Sequence, residues 1–146
     1  SQHLVDEANR SLESEVIRTL TLSPDPALIE RLTSLVRQGQ AFVELNEVEP
    51  FAATDQMFHR LMYQGANVLG LWQLLQRQSG HINRLRRLHL PVQGKMRAVI
   101  ADHAAIVDAM AVGDVAAAQE AMRQHLSNSL DFVDRLRETY PQYFRR

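Results

Sequence analysis

A chain of 146 residues with 45% hydrophobic residues, six glycines and five prolines is long enough for one apolar core and too apolar for a disordered segment; two independent domains would be cramped in it. Its 16 basic and 17 acidic residues nearly cancel, which removes a general electrostatic reason to bind nucleic acid, and the absence of cysteine excludes disulfides and thiolate metal ligands alike. No apolar run approaches the roughly 18 residues that span a bilayer, and residues 1–20 lack a signal-peptide pattern, so the expectation is one soluble domain over residues 1–146, cytoplasmic by default and without a membrane partner.

The apolar spacing is helical nearly throughout, and its punctuation predicts six helices. The first runs from about Leu4 to Thr19 with Leu12, Val16 and Leu20 on one stripe, and Ser23-Pro24-Asp25-Pro26 breaks it. Asp25 reads as an N-cap with Pro26 at the first helical position, where a missing N–H costs nothing. The second helix, about Pro26 to Asn46, carries Leu28, Ile29, Leu32, Leu35, Val36 and Val43. Pro50 opens the third, with Phe51, Phe58, Leu61 and Met62, which fades at Gly65. The fourth begins after Asn67, read as its cap, and continues to the break at Pro91; the fifth covers about Val92 to Val112 and ends at Gly113. Asp114 caps the sixth, which reaches roughly Leu136, and the stretch Tyr140 to Phe144 is expected to dock on the body. The breaks are only a few residues long, so the fold class is all-α, an antiparallel bundle of about six helices enclosing a cavity.

Four side chains carry the chemistry. Asp55 and His59 stand four apart on one helix, which places a carboxylate and an imidazole on one face, a turn apart. His103 lies in the stripe Met96, Val99, His103, Ile106, Met110, and His125 in the stripe Ala118, Met122, His125, Ser129, Phe132. His103 is ten residues before Gly113 and His125 twelve after it, so a hairpin brings them level. A bundle interior resists unpaired polar groups, and one divalent cation would satisfy all four. Imidazole nitrogens with one carboxylate form a donor set for zinc, with nickel as the second choice, rather than for magnesium or calcium. Each residue alone also has a plain reading, His103 as a core histidine hydrogen-bonded to a neighbour and Asp55 as a cap or surface group. Arg77, His81 and Arg84 can share a face of the fourth helix, either as solvated side chains or as groups reaching an enclosed carboxylate ligand. Gly65 and Asn67 mark a turn, Trp72 packs against another helix or a partner subunit, and His3 and His89 near helix ends receive no role. The sequence holds no glycine-rich phosphate loop and no HExxH pair.

The stretches Asp55-Gln56-Met57-Phe58-His59 with Ala66-Asn67, His103 to Ala109 with Gly113-Asp114, and Ala118 to Leu126 resemble, in order and spacing, the FCD effector-binding C-terminal domain of the FadR-like branch of GntR transcriptional regulators. The resemblance covers about Leu12 to Val133. It implies a helical sensor that binds a small organic acid beside a metal, forms a homodimer, and controls DNA binding by an N-terminal winged-helix domain. Asp55, His59, His103 and His125 fall on its metal-ligand positions; Arg84 falls in its basic stretch bordering the effector, and Asn67 on its asparagine position, so Arg84, His81, Arg77 and Asn67 are the effector-binding candidates. The family commonly has glutamate before the third histidine; here Asp102 stands there and is expected to point away from His103, with little consequence. No winged helix fits before Leu4, so the chain is expected to be an excised effector domain rather than a protein that uses the fold without DNA. Two rival readings stand beside the sensor: a metal-dependent hydrolase or lyase using the same Asp/His site, which would need a general base in reach, and a helical interaction module without a ligand.

Overall fold

The computed structural model describes residues 2–144, except for the side chains at positions 2, 3, 5, 6, 79, 81, 82, 85, 86, 89, 129, 130, 132, 133, 143 and 144. Six helices form among the described residues: α1 (Gln2–Leu22), α2 (Pro26–Leu45), α3 (Val48–Gly65), α4 (Leu69–His89), α5 (Lys95–Ala111) and α6 (Val115–Thr139), followed by a 3-10 turn over Pro141–Phe144. None of them is long and apolar enough to cross a membrane.

Local chemistry explains most of the boundaries. Asp25 accepts a 3.0 Å hydrogen bond from the Ala27 N–H with Pro26 opening α2, and Asp114 accepts one of 3.0 Å from the Ala117 N–H at the start of α6. Gly113, at φ 73°, makes the reversal between α5 and α6. α1 and α6 run about a turn further than the sequence pattern, to Leu22 and Thr139, and the starts of α3, α4 and α5 differ from it as well. α3 begins at Val48, because Pro50 then occupies the third helical position, where an N–H would have no acceptor inside the helix. Asn67 is not the cap of α4: it sits in the turn at φ 67°, its N–H donating to the Gln64 carbonyl, and Val68 takes the cap position without a side-chain bond. α5 starts at Lys95 rather than Val92, since Gly94 at φ 80° interrupts the helical path just before it.

The helices pair mainly as α5 with α6, α2 with α3, α1 with α6, and α2 with α5. Several pairs can be oriented from particular contacts. Arg97 donates to Glu44 at 2.8 Å while Ile100 packs over Gly39, so α2 and α5 run antiparallel. The Gln119 amide reaches Ser14 Oγ at 3.3 Å while Gly113 lies near the end of α1 at Thr21, so α1 and α6 are antiparallel as well. Ile17, Leu32, Phe51, Phe58, Met62, Ile106, Met110 and Met122 are fully buried between these helices, each large side chain contributing about 1.5–3 kcal/mol by leaving water. α4 packs chiefly on α3, with Trp72 and Leu75 partly buried against the core, while Leu71 and Leu74 face outward. The result is that α3, α5 and α6 present their inner faces to one another at mid-height, where the histidines stand.

Candidate metal centre

Helical spacing on α3 sets the first half of the site. Asp55 and His59 are one turn apart, with Asp55 Oδ1 3.6 Å from His59 Nε2. α5 delivers His103 from its buried stripe, with Nε2 3.2 Å from the same Asp55 oxygen. α6 delivers His125, level with His103 across the Gly113 reversal; the two ring centroids are 5.0 Å apart. His59 completes the triangle, 5.3 Å from His103 and 5.8 Å from His125 by ring centroid. One donor atom from each of the three histidines lies within 4.8 Å of the other two, a spacing that a single cation can bridge. Asp55 stands at the edge of this triangle, against two of its three members.

The surroundings hold the rings in place. Phe58 stacks on His103 with centroids 4.1 Å apart and planes 3° from parallel, so the ring has one packed face and presents its nitrogens edge-on. His103 is 1% exposed, and its Nε2 has no hydrogen-bond partner; Asp55 is near it without the alignment of a hydrogen bond. A buried nitrogen left unpaired costs free energy comparable to a lost hydrogen bond, on the order of 1–3 kcal/mol, which a metal ligand recovers when it coordinates.

Asp102, expected to have little consequence, contacts the site through His125. Its Oδ2 is 2.9 Å from His125 Nδ1. A carboxylate only accepts, so the Nδ1 of His125 carries the proton and its Nε2 is the free donor. The physical reason is the helical step: a residue beside His103 on α5 is turned by about 100° and therefore faces the neighbouring α6 rather than open solvent. This is the arrangement by which metal-binding imidazoles are commonly oriented.

Charge follows from this geometry. Burial holds the His103 imidazole far below its usual range, at about 3, with His59 and His125 adding to the effect and Asp55 and Asp102 only partly opposing it; His103 is therefore neutral and able to ligate. Withdrawal from water would raise Asp55, but the hydrogen bond to His59 and the electrostatic pull of the clustered imidazole N–H groups hold it well below the ordinary carboxylate range. Asp102 is likewise lowered: partial burial is outweighed by its bond to His125. Two ionised carboxylates thus flank three imidazoles, a donor set that fits a divalent transition metal.

The effector candidates are arranged differently. Arg77, Arg84 and Asn67 are exposed in the isolated chain, and the side chain of His81 lies outside the described residues, as do those of His3 and His89. A cleft of about 320 Å³ opens instead along the α1–α6 seam, between Arg10 and Ser14 on one side and Gln119, Met122, Arg123 and Leu126 on the other. The sequence reading passed over Asp102 because it weighed only direction relative to His103. It also passed over polar residues on the inner face of α1, although Asn9 and Glu13 continue the spacing of Val16, Ile17 and Leu20.

The sequence matches the family described as the FCD domain over residues 7–128. The chain belongs to the FCD domain family. This FCD domain is similar, at 35% identity over 121 residues, to an uncharacterized HTH-type transcriptional regulator in an unstable DNA locus of Streptomyces ambofaciens. The alignment covers 82% of the chain and 50% of that relative, so the chain spans about half the relative's length. The family match includes Asp55, Asp102 and all three clustered histidines.

Proposed function

We propose that this FCD domain is the effector-sensing part of a GntR-type transcriptional regulator, which holds a divalent transition metal and a small organic carboxylate and thereby controls DNA binding by an N-terminal domain. The observation that carries the reading is the triangle of half-buried His59 with buried His103 and His125, with an unpartnered nitrogen on His103 and Asp55 against it. His59, His103, His125 and Asp55 are the proposed ligands, zinc the first choice of ion and nickel the second. When bound, such an ion supplies positive charge and open coordination positions that draw an anionic oxygen. Asp102 keeps the His125 proton on Nδ1, Phe58 fixes the plane of His103, and Asp55 supplies the compensating negative charge. The ligands come from three helices, so an acid that joins the site gains most in one relative placement of α3, α5 and α6; such differential affinity is what lets a sensor shift its own equilibrium. In the regulator, a homodimer would pass that shift to paired DNA readers. Arg84 and Asn67, by their family positions, and Arg77 and His81, by their sequence spacing from Arg84, remain the proposed effector contacts of that assembled state.

The relative's description as an HTH-type regulator supports the regulatory part of this reading. A hydrolase or lyase would need a free base beside the histidines; among the described residues Asp55 and Asp102 are both engaged with imidazoles, which favours the sensor. The test is metal analysis by plasma mass spectrometry of chain purified without chelator, alongside His103→Ala. About one equivalent of zinc or nickel in the wild-type chain, lost in the variant, is the expected result; a metal-free chain that takes up neither ion would sink the reading. Native mass spectrometry then identifies a retained acid, and steady turnover of that acid would favour an enzyme.

A further inference from the structure

The Asp102 carboxylate that holds His125 is itself held. Its Oδ2 is 2.9 Å from His125 Nδ1, and it also takes a side-chain hydrogen bond from Asn128. Asn128 stands three residues after His125 on α6, so both reach from one face of that helix toward Asp102 on α5. Donor count fixes the polarity of this chain of groups. An ionised carboxylate only accepts, so the Asn128 amide N–H donates to Asp102. The other end of the same amide, Oδ1, accepts from Gln124 Nε2 at 3.2 Å, one turn earlier on α6. Each bond agrees with the next, and the order Gln124, Asn128, Asp102, His125 runs from exposed side chains on α6 to a buried imidazole.

The second anchor supplies what packing does not. His125 is buried, but the Asp102 side chain is 25% exposed. A carboxylate in that position with a single bond is free to turn about its last side-chain torsion, which has no sharp preference, and to exchange the imidazole for water. Asn128 removes that freedom, so the Nδ1–H of His125 keeps its acceptor and Nε2 stays the bare nitrogen. The choice of a neutral donor matters as well. A lysine or arginine would also grip Asp102, but its charge would draw the carboxylate away from the ring, whereas an amide leaves the full negative charge facing His125. Asparagine is a poorer helix former than alanine, so α6 gives up local stability at this position to keep the bond.

We infer that Asn128 is a positioning residue of the metal centre, fixing the Asp102 carboxylate so that His125 offers Nε2 to the ion. This rests on the metal reading above and extends it one residue outward along α6. Gln124 sets which end of the Asn128 amide faces Asp102.

The test compares the 146-residue chain as wild type, Asn128→Ala, Asp102→Ala and the double variant. Zinc affinity is read by chelator competition, and the ring nitrogens of metal-free His125 by long-range proton–nitrogen NMR. Asn128→Ala is expected to weaken zinc binding about three- to tenfold, the worth of one hydrogen bond, and to cost nothing further in the Asp102→Ala background. In the metal-free wild type Nδ1 is the protonated nitrogen of His125; in Asn128→Ala the two ring shifts are expected to move toward one another as both tautomers become populated. The melting temperature of metal-free Asn128→Ala is expected to equal or exceed that of the wild type, because Asn128 is exposed and alanine suits a helix interior better. Zinc affinity within about twofold of wild type, or the same loss with and without Asp102, overturns the positioning role while leaving the metal centre intact. An unmoved pair of His125 shifts does the same. A melting temperature several degrees lower in the metal-free variant makes the bond a clamp between α5 and α6 and also overturns the role. A wild-type chain that binds no zinc overturns the metal reading itself, and the part of Asn128 with it.

Discussion

His103 is the residue on which the chemistry turns, and its environment has a measurable consequence. In the metal-free chain it is neutral when folded, with its pKa held at about 3 against 6.5 ordinarily. Below pH 6.5 the unfolded chain therefore binds a proton that the folded chain does not. Stability from this residue is present above pH 6.5 and falls as pH drops toward 3, with a limiting slope of about 1.4 kcal/mol per pH unit. Asp55 and Asp102, both lowered, keep their contributions until the pH falls below their ordinary 3.8. Urea unfolding in chelator across pH 7 to about 5 checks this, and His103→Leu should flatten the dependence. Asp102 gives a second prediction at this scale. Asp102→Ala releases the His125 ring and should weaken zinc binding about 10- to 100-fold with little loss of secondary structure, read by competition with a colorimetric chelator. Zinc affinity within about twofold of wild type would return Asp102 to the incidental role that its direction along α5 first implied. The convergence of His59, His103 and His125 was legible from the sequence because helical period and hairpin register are properties of spacing alone. The Asp102–His125 bond was not, because it depends on how far two helices are rotated about their own axes, which spacing leaves open.

At the scale of elements, the α5–α6 hairpin is the part that must be right for two histidines to meet. Its register depends on Gly113 in the left-handed region and on the Asp114 cap. Asp114→Ala should cost about 0.5–2 kcal/mol in denaturant unfolding, and metal affinity should fall with it if the turn moves. The α2–α5 seam supports the same hairpin from behind, because Gly39 lets Ile100 approach the α2 backbone. A side chain there would meet Ile100 and then Phe51, so Gly39→Leu is expected to destabilise by about 1–3 kcal/mol through overpacking, despite leucine's better helix propensity; a stable variant would show that α5 can slide without penalty. Helix number and both aspartate caps followed from composition and punctuation. The starts of α3, α4 and α5 did not: Pro50 is tolerated at the third position of a helix, Asn67 reads equally as a cap or a left-handed turn residue, and the stretch from Val92 to Gly94 has helical neighbours but no helical φ at its glycine. Those choices are settled by tertiary packing rather than by local preference.

For the whole molecule, a metal held by three helices acts as a cross-link that the unfolded chain cannot make. At a free zinc concentration one hundred times the dissociation constant, binding should add about 2.7 kcal/mol to unfolding, seen as a rise in melting temperature that chelator reverses and His103→Ala abolishes. In the proposed sensor the same linkage would let an acid at this site shift helices far apart in sequence, since α4 separates α3 from α5 along the chain. His59, His103 and His125, with Asp55, are proposed to ligate one transition metal. X-ray absorption at the zinc edge of the loaded chain tests it most directly. Imidazole scattering from about three nitrogens at roughly 2.0–2.1 Å, reduced by one nitrogen in His103→Ala, is the predicted result; a spectrum of oxygen neighbours alone, unchanged by that substitution, would contradict it.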